Sequence, residues 1–174
     1  GMGAEVIHLG HNRSVDEVVT AALQEDAKGI ALSSYQGGHV EYFKYMVDLL
    51  RARGGAHIQV FGGGGGVIVP AEIAELQAYG VTRIYSPEDG ALMGLQGMIN
   101  DMVQRCDVDL AAGATPDLAA VRAGDRRALA RLLTVLESGP YDGAKRKGLV
   151  EEAATKRAPA LGITGTGGAG KSSL

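Results

Sequence analysis

The chain alternates between short apolar runs and longer segments in which apolar residues return every three or four positions. Runs of the first kind predict buried strands, and segments of the second kind predict helices with one apolar face. Four strand–loop–helix units follow this pattern, with strands at residues 6–9, 30–32, 57–61 and 81–85. Such alternation predicts an α/β fold with a parallel, doubly wound sheet that helices cover on both faces.

Local signals mark where several of these helices begin and end. Ser14 and Glu17 have the spacing of a capping box, in which each residue bonds the other's backbone at a helix start. Pro70 suits the first turn of the third helix, and Gly80 suits its end. Apolar spacing places Tyr42, Met46, Leu49 and Leu50 on the inner face of the second helix, and Leu92, Leu95, Met98, Ile99 and Met102 on that of the fourth.

The loops that follow the four strands are rich in glycine and polar residues. Ligands of open parallel sheets bind beyond the carboxyl ends of the strands, so loops 8–13, 33–39, 62–66 and 86–90 are expected to face one ligand. Glycine suits backbone that lies against a ligand, because it has no Cβ and reaches positive φ. Plain loop flexibility stays open as the alternative for any single glycine pair.

Composition and charge narrow the classes of function. The 174 residues are 45% hydrophobic and 21% charged, which is typical of a globular protein with one core and an appendage. A net charge of −3 without a clustered Lys/Arg excess argues against nucleic acid and membrane surfaces as partners. The single cysteine, Cys106, forms no internal disulfide, and no apolar run reaches the length of a membrane span, so a cytoplasmic location is expected.

The pattern becomes purely helical after about residue 106. Thr115 and Pro116 suit the start of one helix, Gly124 interrupts it, and Asp125 suits the cap of the next. We predict a cofactor-binding α/β domain at 1–106, a helical linker at 107–158 and the start of a further domain at 159–174. A small independent helical domain is the alternative for the middle segment. The basic residues Lys145, Arg146 and Lys147 are interpreted as a solvated face.

The end of the chain carries a phosphate-binding motif. Residues 161–164 are predicted as a strand, and residues 165–172 fit G-x-x-x-x-G-K-[ST], the P-loop pattern. Backbone N–H groups in such a loop curl around phosphate oxygens, the lysine meets the β and γ phosphates, and the serine binds Mg²⁺. Nucleotide hydrolysis by this segment alone is not expected. The candidate nucleotide-binding residues are Gly165, Gly167, Gly168, Gly170, Lys171, Ser172 (also the magnesium ligand) and Ser173.

Five runs of the chain resemble the adenosylcobalamin-binding domain of the fused isobutyryl-CoA mutases. They are residues 10–19 (GHNRSVDEVV), 33–46 (SSYQGGHVEYFKYM), 61–66 (FGGGGG), 84–87 (IYSP) and 94–101 (GLQGMIND). The P-loop then falls where that family places a metallochaperone-like GTPase domain. The resemblance covers nearly the whole chain.

The resemblance implies a flavodoxin-like cobalamin-binding fold and a function. Enzymes of this family use adenosylcobalamin to interconvert isobutyryl-CoA and n-butyryl-CoA by a radical route, and their GTPase part, with GTP and magnesium, supports cofactor loading. The implied partners are the mutase barrel domain and the GTPase domain of the parent protein, an acyl-CoA substrate, and further copies in a homo-oligomer. No catalytic residue is expected in this segment.

The same resemblance implies cofactor-binding residues. In the family, a serine after the strand that matches residues 30–32 contacts the dimethylbenzimidazole tail, and a Gly-Gly pair after the next strand lets the tail pass close to the backbone. Those roles map onto Ser33 and onto a pair whose register within 62–66 stays open, with Gly62 and Gly63 first. Tyr35 matches the fused subgroup. The full candidate set is Ser33, Tyr35, Gly37, Gly62, Gly63, Gly64 and Ser86.

One departure concerns the cobalt. The family's cobalt ligand is the histidine of an Asp-x-His-x-x-Gly loop, which does not occur in this sequence. We expect the loop and the first, central strand to lie upstream, and none of the four histidines, His8, His11, His39 and His57, is assigned the role. The gap beside residues 30–32 is expected to be closed by collapse, by a partner chain or by residues 161–164.

Two other functions stay open. The chain is alternatively a P-loop GTPase with an N-terminal regulatory α/β module, or a stand-alone corrinoid carrier without a catalytic contribution.

Overall fold

A computed structural model describes residues 3–35, 37–109, 116–138 and 141–156, together with Pro159, Gly162 and Thr164. The chain divides into two compact units, Gly1–Asp109 and Leu110–Leu174. No helix of the described residues is long and apolar enough to cross a membrane.

The first unit alternates helices and strands. Its three strands are all parallel and lie in the order β1-β2-β3. Within the described part of the unit, no strand pairs with the outer edge of β1. In chain order the elements are α1 (Val15–Gln24), β1 (Gly29–Ser33), α2 (His39–Ala52), β2 (Gln59–Gly63), α3 (Pro70–Tyr79), β3 (Arg83–Tyr85) and α4 (Pro87–Cys106).

Helices cover the two faces of the sheet unequally. Alternate residues of a strand point to opposite faces, and Gly62 of β2 abuts Phe43 of α2, which places α2 and its neighbours α1 and α3 on one face. Gly29 of β1 abuts the Cys106 sulfur, which places α4 on the other face. We call the first the covered face and the second the open face, because α4 packs on β2 and β3 but leaves Ala31 of β1 exposed.

The hydrophobic core lies between the covered face and helices α1 to α3. Its fully buried side chains include Val19, Phe43, Met46 and Leu76. Apolar burial of this kind stabilises a domain by about 25 cal/mol for each Å² removed from water. Met46 and Leu50 were predicted on the inner face of α2, while the equally buried Phe43 was not.

Most predicted helix boundaries are confirmed. The Ser14–Glu17 capping box is present, with the Glu17 N–H donating to Ser14 Oγ at 3.2 Å and the Ser14 N–H to Glu17 Oε2 at 2.9 Å. Pro70 is the first residue of α3, and the helix ends at Gly80 with a φ of 130°.

The prediction of a strand at 6–9 is wrong for this structure. These residues form no regular element, and Val6 and Ile7 are 81% and 50% exposed. A strand needs a neighbour to bond its backbone, and no described strand lies beside this segment.

The predicted loop at 86–90 is also wrong, because α4 begins at Pro87. Ser86 caps this helix, and Ser86-Pro87-x-Asp89 has the spacing of a capping box that could have been recognised. The fourth helix is not one straight rod, since Gly94 has a φ of 63° and a ψ of 173° and bends it. Leu92 and Leu95, predicted to face inwards, are 87% and 72% exposed beside this bend.

The second unit is helical in its described part. It contains α5 (Leu118–Arg122), α6 (Arg126–Ser138) and α7 (Gly143–Thr155). Asp117, rather than Thr115 or Pro116, caps α5, and the predicted cap of α6 is present, with the Ala128 N–H donating to Asp125 Oδ1 at 2.9 Å. Leu132 and Val135 are buried, and the basic residues of α7 are exposed as predicted. The three-segment division of the chain stays a prediction. The P-loop lies outside the described residues, as do residues 161 and 163 of the predicted strand at 161–164.

Candidate functional site

The three strands end side by side at the carboxyl edge of the sheet. Ser33 is the register partner of Gly63, which is in turn the partner of Tyr85. A parallel sheet brings the last residues of its strands to one edge, where ligands of such folds bind. The expectation of loops along one edge is confirmed for those after β1 and β2. Residues 87–90 belong to α4 instead, and residues 8–13 follow no strand in this structure.

An exposed patch of small residues lies on the open face of the sheet at this edge. It is formed by Ala31 and Ser33 of β1 and by Gly63 of β2, which alternation places on the same face. Ala31 and Ser33 are exposed, and a Cβ added to Gly63 would meet nothing nearer than the Tyr85 carbonyl oxygen at 3.7 Å. We call these three residues the slot floor. A flat group can approach the backbone closely there.

The glycines of 62–66 have different surroundings. A Cβ on Gly62 would lie 2.6 Å from Ile84 Cδ1 and would also overlap Phe43, so packing on the covered face requires this glycine. Gly63 points to the open face instead. Gly64 is buried, and a Cβ there would overlap the Ser34 carbonyl oxygen. Gly65 and Gly66 have φ values of 56° and 91°, which favour glycine.

The loop after β1 presents an exposed aromatic ring beside the slot floor. The Tyr35 side chain is 68% exposed, and its ring lies 3.0 Å from the position that a Cβ on Gly65 would take. Gly37 is exposed with open space around its Cα. These two candidates therefore belong to the rim of the carboxyl edge, on the loop that crosses towards the glycines.

The last candidate cofactor residue, Ser86, is engaged as a helix cap. Its Oγ accepts from the Asp89 N–H at 3.2 Å, and its own N–H donates to Asp89 Oδ2 at 3.0 Å. The hydrogen bond from the Ser86 N–H is the main cause that lowers the pKa of the Asp89 carboxyl below its ordinary value, and the hydrogen bond from Arg83 adds to it. The serine thus fixes the start of α4 at the carboxyl edge.

An arginine hub holds the two halves of α4 against β3. The Arg83 guanidinium bonds Asp89 before the Gly94 bend at 2.8 Å and Asp101 after it at 3.1 Å, and it lies 5.0 Å from the Tyr85 ring. The Tyr85 hydroxyl donates to Asp101 at 2.7 Å. Burial, and then this hydrogen bond, raise the pKa of Tyr85 above its ordinary value. Arg83 of β3 therefore holds the residues on both sides of the Gly94 bend in place.

Sequence reasoning missed a contact between the loops that follow β1 and β2. His39 begins α2 and is 8% exposed, and its Nε2 lies 3.0 Å from Oε2 of Glu72, in the first turn of α3. His39 is the last residue of the predicted loop 33–39, and the structure places it in α2 instead. Its partner lies 33 residues away, so no local pattern marks the pair.

The remaining predicted residues are the histidines and the nucleotide-binding candidates. Among the described residues, no group of three or more His, Cys, Asp and Glu side chains could hold a metal ion. His8 and His57 were placed in strands, but His8 lies outside any regular element and His57 in a turn before β2. The candidate nucleotide-binding residues, Gly165 to Ser173, lie outside the described residues.

Comparison with known protein families and relatives identifies what the chain is similar to. The family described as B12 binding domain matches residues 1–96. A fused isobutyryl-CoA mutase of Cupriavidus metallidurans is 72% identical over 172 residues, which make up 99% of this chain and 16% of that protein. A fused isobutyryl-CoA mutase of Geobacillus kaustophilus is 58% identical over 179 residues, again 99% of this chain and 16% of that protein.

A shorter relative matches about half of the chain. The pivalyl-CoA mutase small subunit of Xanthobacter autotrophicus is 36% identical over 85 residues, which make up 49% of this chain and 55% of that subunit. The chain thus spans about 16% of the length of the fused mutases that it matches.

Proposed function

This chain belongs to the B12 binding domain family, and from that premise we propose that it is the cobalamin-binding segment of an adenosylcobalamin-dependent acyl-CoA mutase. The observation that carries the proposal is the slot floor of Ala31, Ser33 and Gly63 at the carboxyl edge of the sheet. The similarity to relatives named as fused isobutyryl-CoA mutases supports the same proposal.

The slot floor fits the nucleotide tail of cobalamin. The tail ends in a flat aromatic base, which needs a surface without bulky side chains, and Ala31, Ser33 and Gly63 offer one methyl, one hydroxymethyl and one bare Cα. The exposed Ser33 hydroxyl can both donate and accept a hydrogen bond. Gly63 leaves the backbone open to close approach.

The surrounding loops would hold the rest of the cofactor. Tyr35 offers an exposed aromatic face at the rim, and Gly37 leaves room beside it. Ser86 fixes the start of α4 at the same edge, and Gly64 lets the loops after β1 and β2 cross in contact. Gly62 would contribute indirectly, because its bare Cα lets Phe43 pack beneath the strand. The cobalt ligand stays unassigned in this sequence.

Adenosylcobalamin, when bound, supplies the radical chemistry of a carbon-skeleton rearrangement. We infer that the parent enzyme interconverts isobutyryl-CoA and n-butyryl-CoA. The names of the fused relatives contain isobutyryl-CoA, and the sequence resemblance implies n-butyryl-CoA as the other partner. The residues of this chain bind and orient the cofactor, and we assign none of them a catalytic role. Substrate contacts would come from a mutase barrel domain, with a homo-oligomer as the expected assembly.

A GTPase function of the parent protein is a separate inference. It is supported by residues 165–172, which fit the P-loop pattern after a predicted strand. Lys171 would meet the phosphates of GTP and Ser172 would bind Mg²⁺. The relatives are called fused, which suits a mutase joined to a further domain. We also infer a cytoplasmic location, since the single Cys106 thiol takes part in no disulfide.

Titration of the chain with adenosylcobalamin tests the proposal. The matched variants are Ala31→Leu, which fills the slot floor, and Ala78→Leu, which adds the same side chain to an exposed position of α3. We expect Ala31→Leu to weaken binding at least about tenfold and Ala78→Leu to leave it unchanged, with equal melting temperatures. A tenfold loss corresponds to about 1.4 kcal/mol.

The visible spectrum adds a second criterion. A longer form of the protein that carries an Asp-x-His-x-x-Gly loop should bind cobalamin with the benzimidazole displaced from cobalt. If neither form binds cobalamin, the proposal fails and the GTPase with a regulatory α/β module becomes the better interpretation. If the chain binds and both leucine variants bind equally well, the cofactor lies elsewhere on the unit.

A further inference from the structure

One carboxylate oxygen joins the two loops that border the slot floor. Glu72 Oε2 accepts a hydrogen bond from the Val69 N–H at 3.0 Å and lies 3.0 Å from His39 Nε2. Val69 ends the loop after β2, and His39, the first residue of α2, directly follows the loop after β1. The far ends of both loops therefore meet at the same atom.

The contact is shielded from water. The His39 side chain is 8% exposed and that of Glu72 is 32% exposed. The hydrogen bond from the Val69 N–H is the main cause that lowers the pKa of Glu72 below its ordinary value, and the hydrogen bond with His39 adds to it. The carboxylate is therefore ionised at neutral pH. A charged acceptor makes stronger hydrogen bonds than a neutral one.

The near ends of the same loops are joined by backbone. The Ser34 N–H donates to the Gly63 carbonyl oxygen at 2.8 Å, directly beyond the register pair Ser33 and Gly63. Each loop is thus attached to the other where it leaves the sheet and again where it enters a helix. We call residues 34, 35, 37, 38 and 64–69, with these two attachments, the loop frame.

We propose that Glu72 is a positioning residue that, through His39 and Val69, holds the loop frame in the conformation that receives the cobalamin tail. The inference rests on the proposed function and adds a residue that lies outside the candidate cofactor contacts. Glu72 touches neither Ser33 nor Gly63, and it acts through the loops.

The expected effect follows from a population argument. A ligand that binds one loop conformation loses apparent affinity in proportion to the fraction of molecules in that conformation. Without Glu72, the Val69 N–H and His39 Nε2 lose the acceptor that they share, so one attachment between the two loops is removed. If the competent fraction falls to about one tenth, binding weakens about tenfold.

A matched pair of variants separates this role from general packing. Glu72→Ala removes the loop contact, and Glu75→Ala removes a carboxylate on the next turn of α3, which pairs with Lys44 of α2. Both variants delete one charge and one contact between α2 and α3. His39→Leu and His39→Gln form a second pair, since only glutamine keeps an N–H donor at the end of the side chain.

The first readout is amide hydrogen exchange of the chain without cofactor. The Ser34 and Val67 amides donate to the Gly63 and Gly64 carbonyl oxygens within the loop frame. We expect them to exchange at least about tenfold faster in Glu72→Ala and to be unchanged in Glu75→Ala, with the Val60 amide of β2 constant in both. Glu72→Gln serves as a milder variant if Glu72→Ala does not fold.

The second readout is the dissociation constant for adenosylcobalamin. We expect about tenfold weaker binding in Glu72→Ala and His39→Leu, and recovery to within about twofold in His39→Gln. If the chain binds cobalamin and Glu72→Ala matches Glu75→Ala in both readouts, the inference is overturned and the proposed function stands. Faster loop exchange with unchanged affinity overturns it as well. If the unmodified chain does not bind cobalamin, the titrations are made in the longer form that carries the Asp-x-His-x-x-Gly loop. If that form does not bind cobalamin either, the proposed function fails and the positioning role falls with it.

Discussion

Gly64 lies against Ser34 so closely that a Cβ on the glycine would overlap the serine's carbonyl oxygen. The contact joins the first residue after β2 to the first residue after β1, and Gly64 is buried there. It explains why a side chain is absent at this point of a five-glycine run, and it links a sequence feature to the geometry of the candidate site.

Gly64→Ala should therefore destabilise the first unit. The obstacle is backbone, which cannot rotate away as the end of a side chain can, so the loops must separate. We expect a loss of about 1–3 kcal/mol in the free energy of unfolding, measured by urea denaturation.

Gly90→Ala is the control, because the nearest atom to its added Cβ is Met98 Cε at 4.0 Å and the residue lies in α4. That variant should be neutral or more stable by about 0.5–1 kcal/mol. Equal stabilities of the two variants would contradict the contact.

Gly62 and Gly63 should respond differently to alanine although they are adjacent. Gly62→Ala meets Ile84 and Phe43 on the covered face and should cost about 1–3 kcal/mol. Gly63→Ala meets only the Tyr85 carbonyl oxygen, at an ordinary contact distance of 3.7 Å, and should change stability by less than about 0.5 kcal/mol. On the proposed function, Gly63→Ala should weaken cobalamin binding. Urea denaturation measures the stability of both variants, and titration measures their affinity for cobalamin. A strongly destabilised Gly63→Ala would contradict the prediction, because it would mean that the slot floor is not open.

Arg83→Met should loosen the bend of α4. The substitution keeps the aliphatic length of the side chain and removes the donors for Asp89 and Asp101, which are both partly buried. Asp89 keeps the hydrogen bond from the Ser86 N–H and Asp101 keeps that from the Tyr85 hydroxyl, but each carboxylate loses a charged donor. We expect a loss of about 1–3 kcal/mol in the free energy of unfolding. Arg13→Met removes the exposed pair with Glu17 and should cost no more than about 1 kcal/mol. Thermal unfolding of the two variants gives the comparison, and equal losses would show that the hub contributes no more than a surface ion pair.

The helical unit should show an acid-sensitive contact between α5 and α7. Hydrogen bonds from Arg122 and then Lys156 lower the pKa of Glu152 to about 2. A carboxyl whose pKa is depressed in the folded state stabilises that state above its unfolded pKa, near 4.3, and the contribution is lost as the pH falls towards about 2. A ¹³C NMR titration of the Glu152 carboxyl measures this pKa. In Arg122→Gln it should rise towards the ordinary value, and an unchanged titration would contradict the ion pair.

Local rules predicted much of the fold, and particular residues show why. The Ser14–Glu17 box, Pro70 and Gly80 act within one turn of chain, so their spacing alone marks the helix ends. The order of strands and helices follows from apolar periodicity, since each element must bury one face. The same rules applied to Ser86 and Asp89 would have placed the start of α4, which was instead predicted as loop.

Residues 6–9 and Leu92 show where local rules fail. An apolar run becomes a strand only beside another strand, and the described residues supply none next to Val6. Leu92 has helical spacing, but the bend at Gly94 turns it away from the sheet. Both outcomes depend on what lies across the fold rather than along the chain.

The sequence by itself determined the α/β class, the loops that meet at the carboxyl edge and the family resemblance, because these depend on periodicity and on motifs that neighbouring residues form. Only the tertiary structure decided which glycine of 62–66 belongs to the slot floor and which one packs against Phe43. Only it paired His39 with Glu72, 33 residues apart. The physical reason is that a glycine's role and a carboxylate's partner are set by the atoms packed against them, and those atoms come from distant segments that meet only when the chain folds.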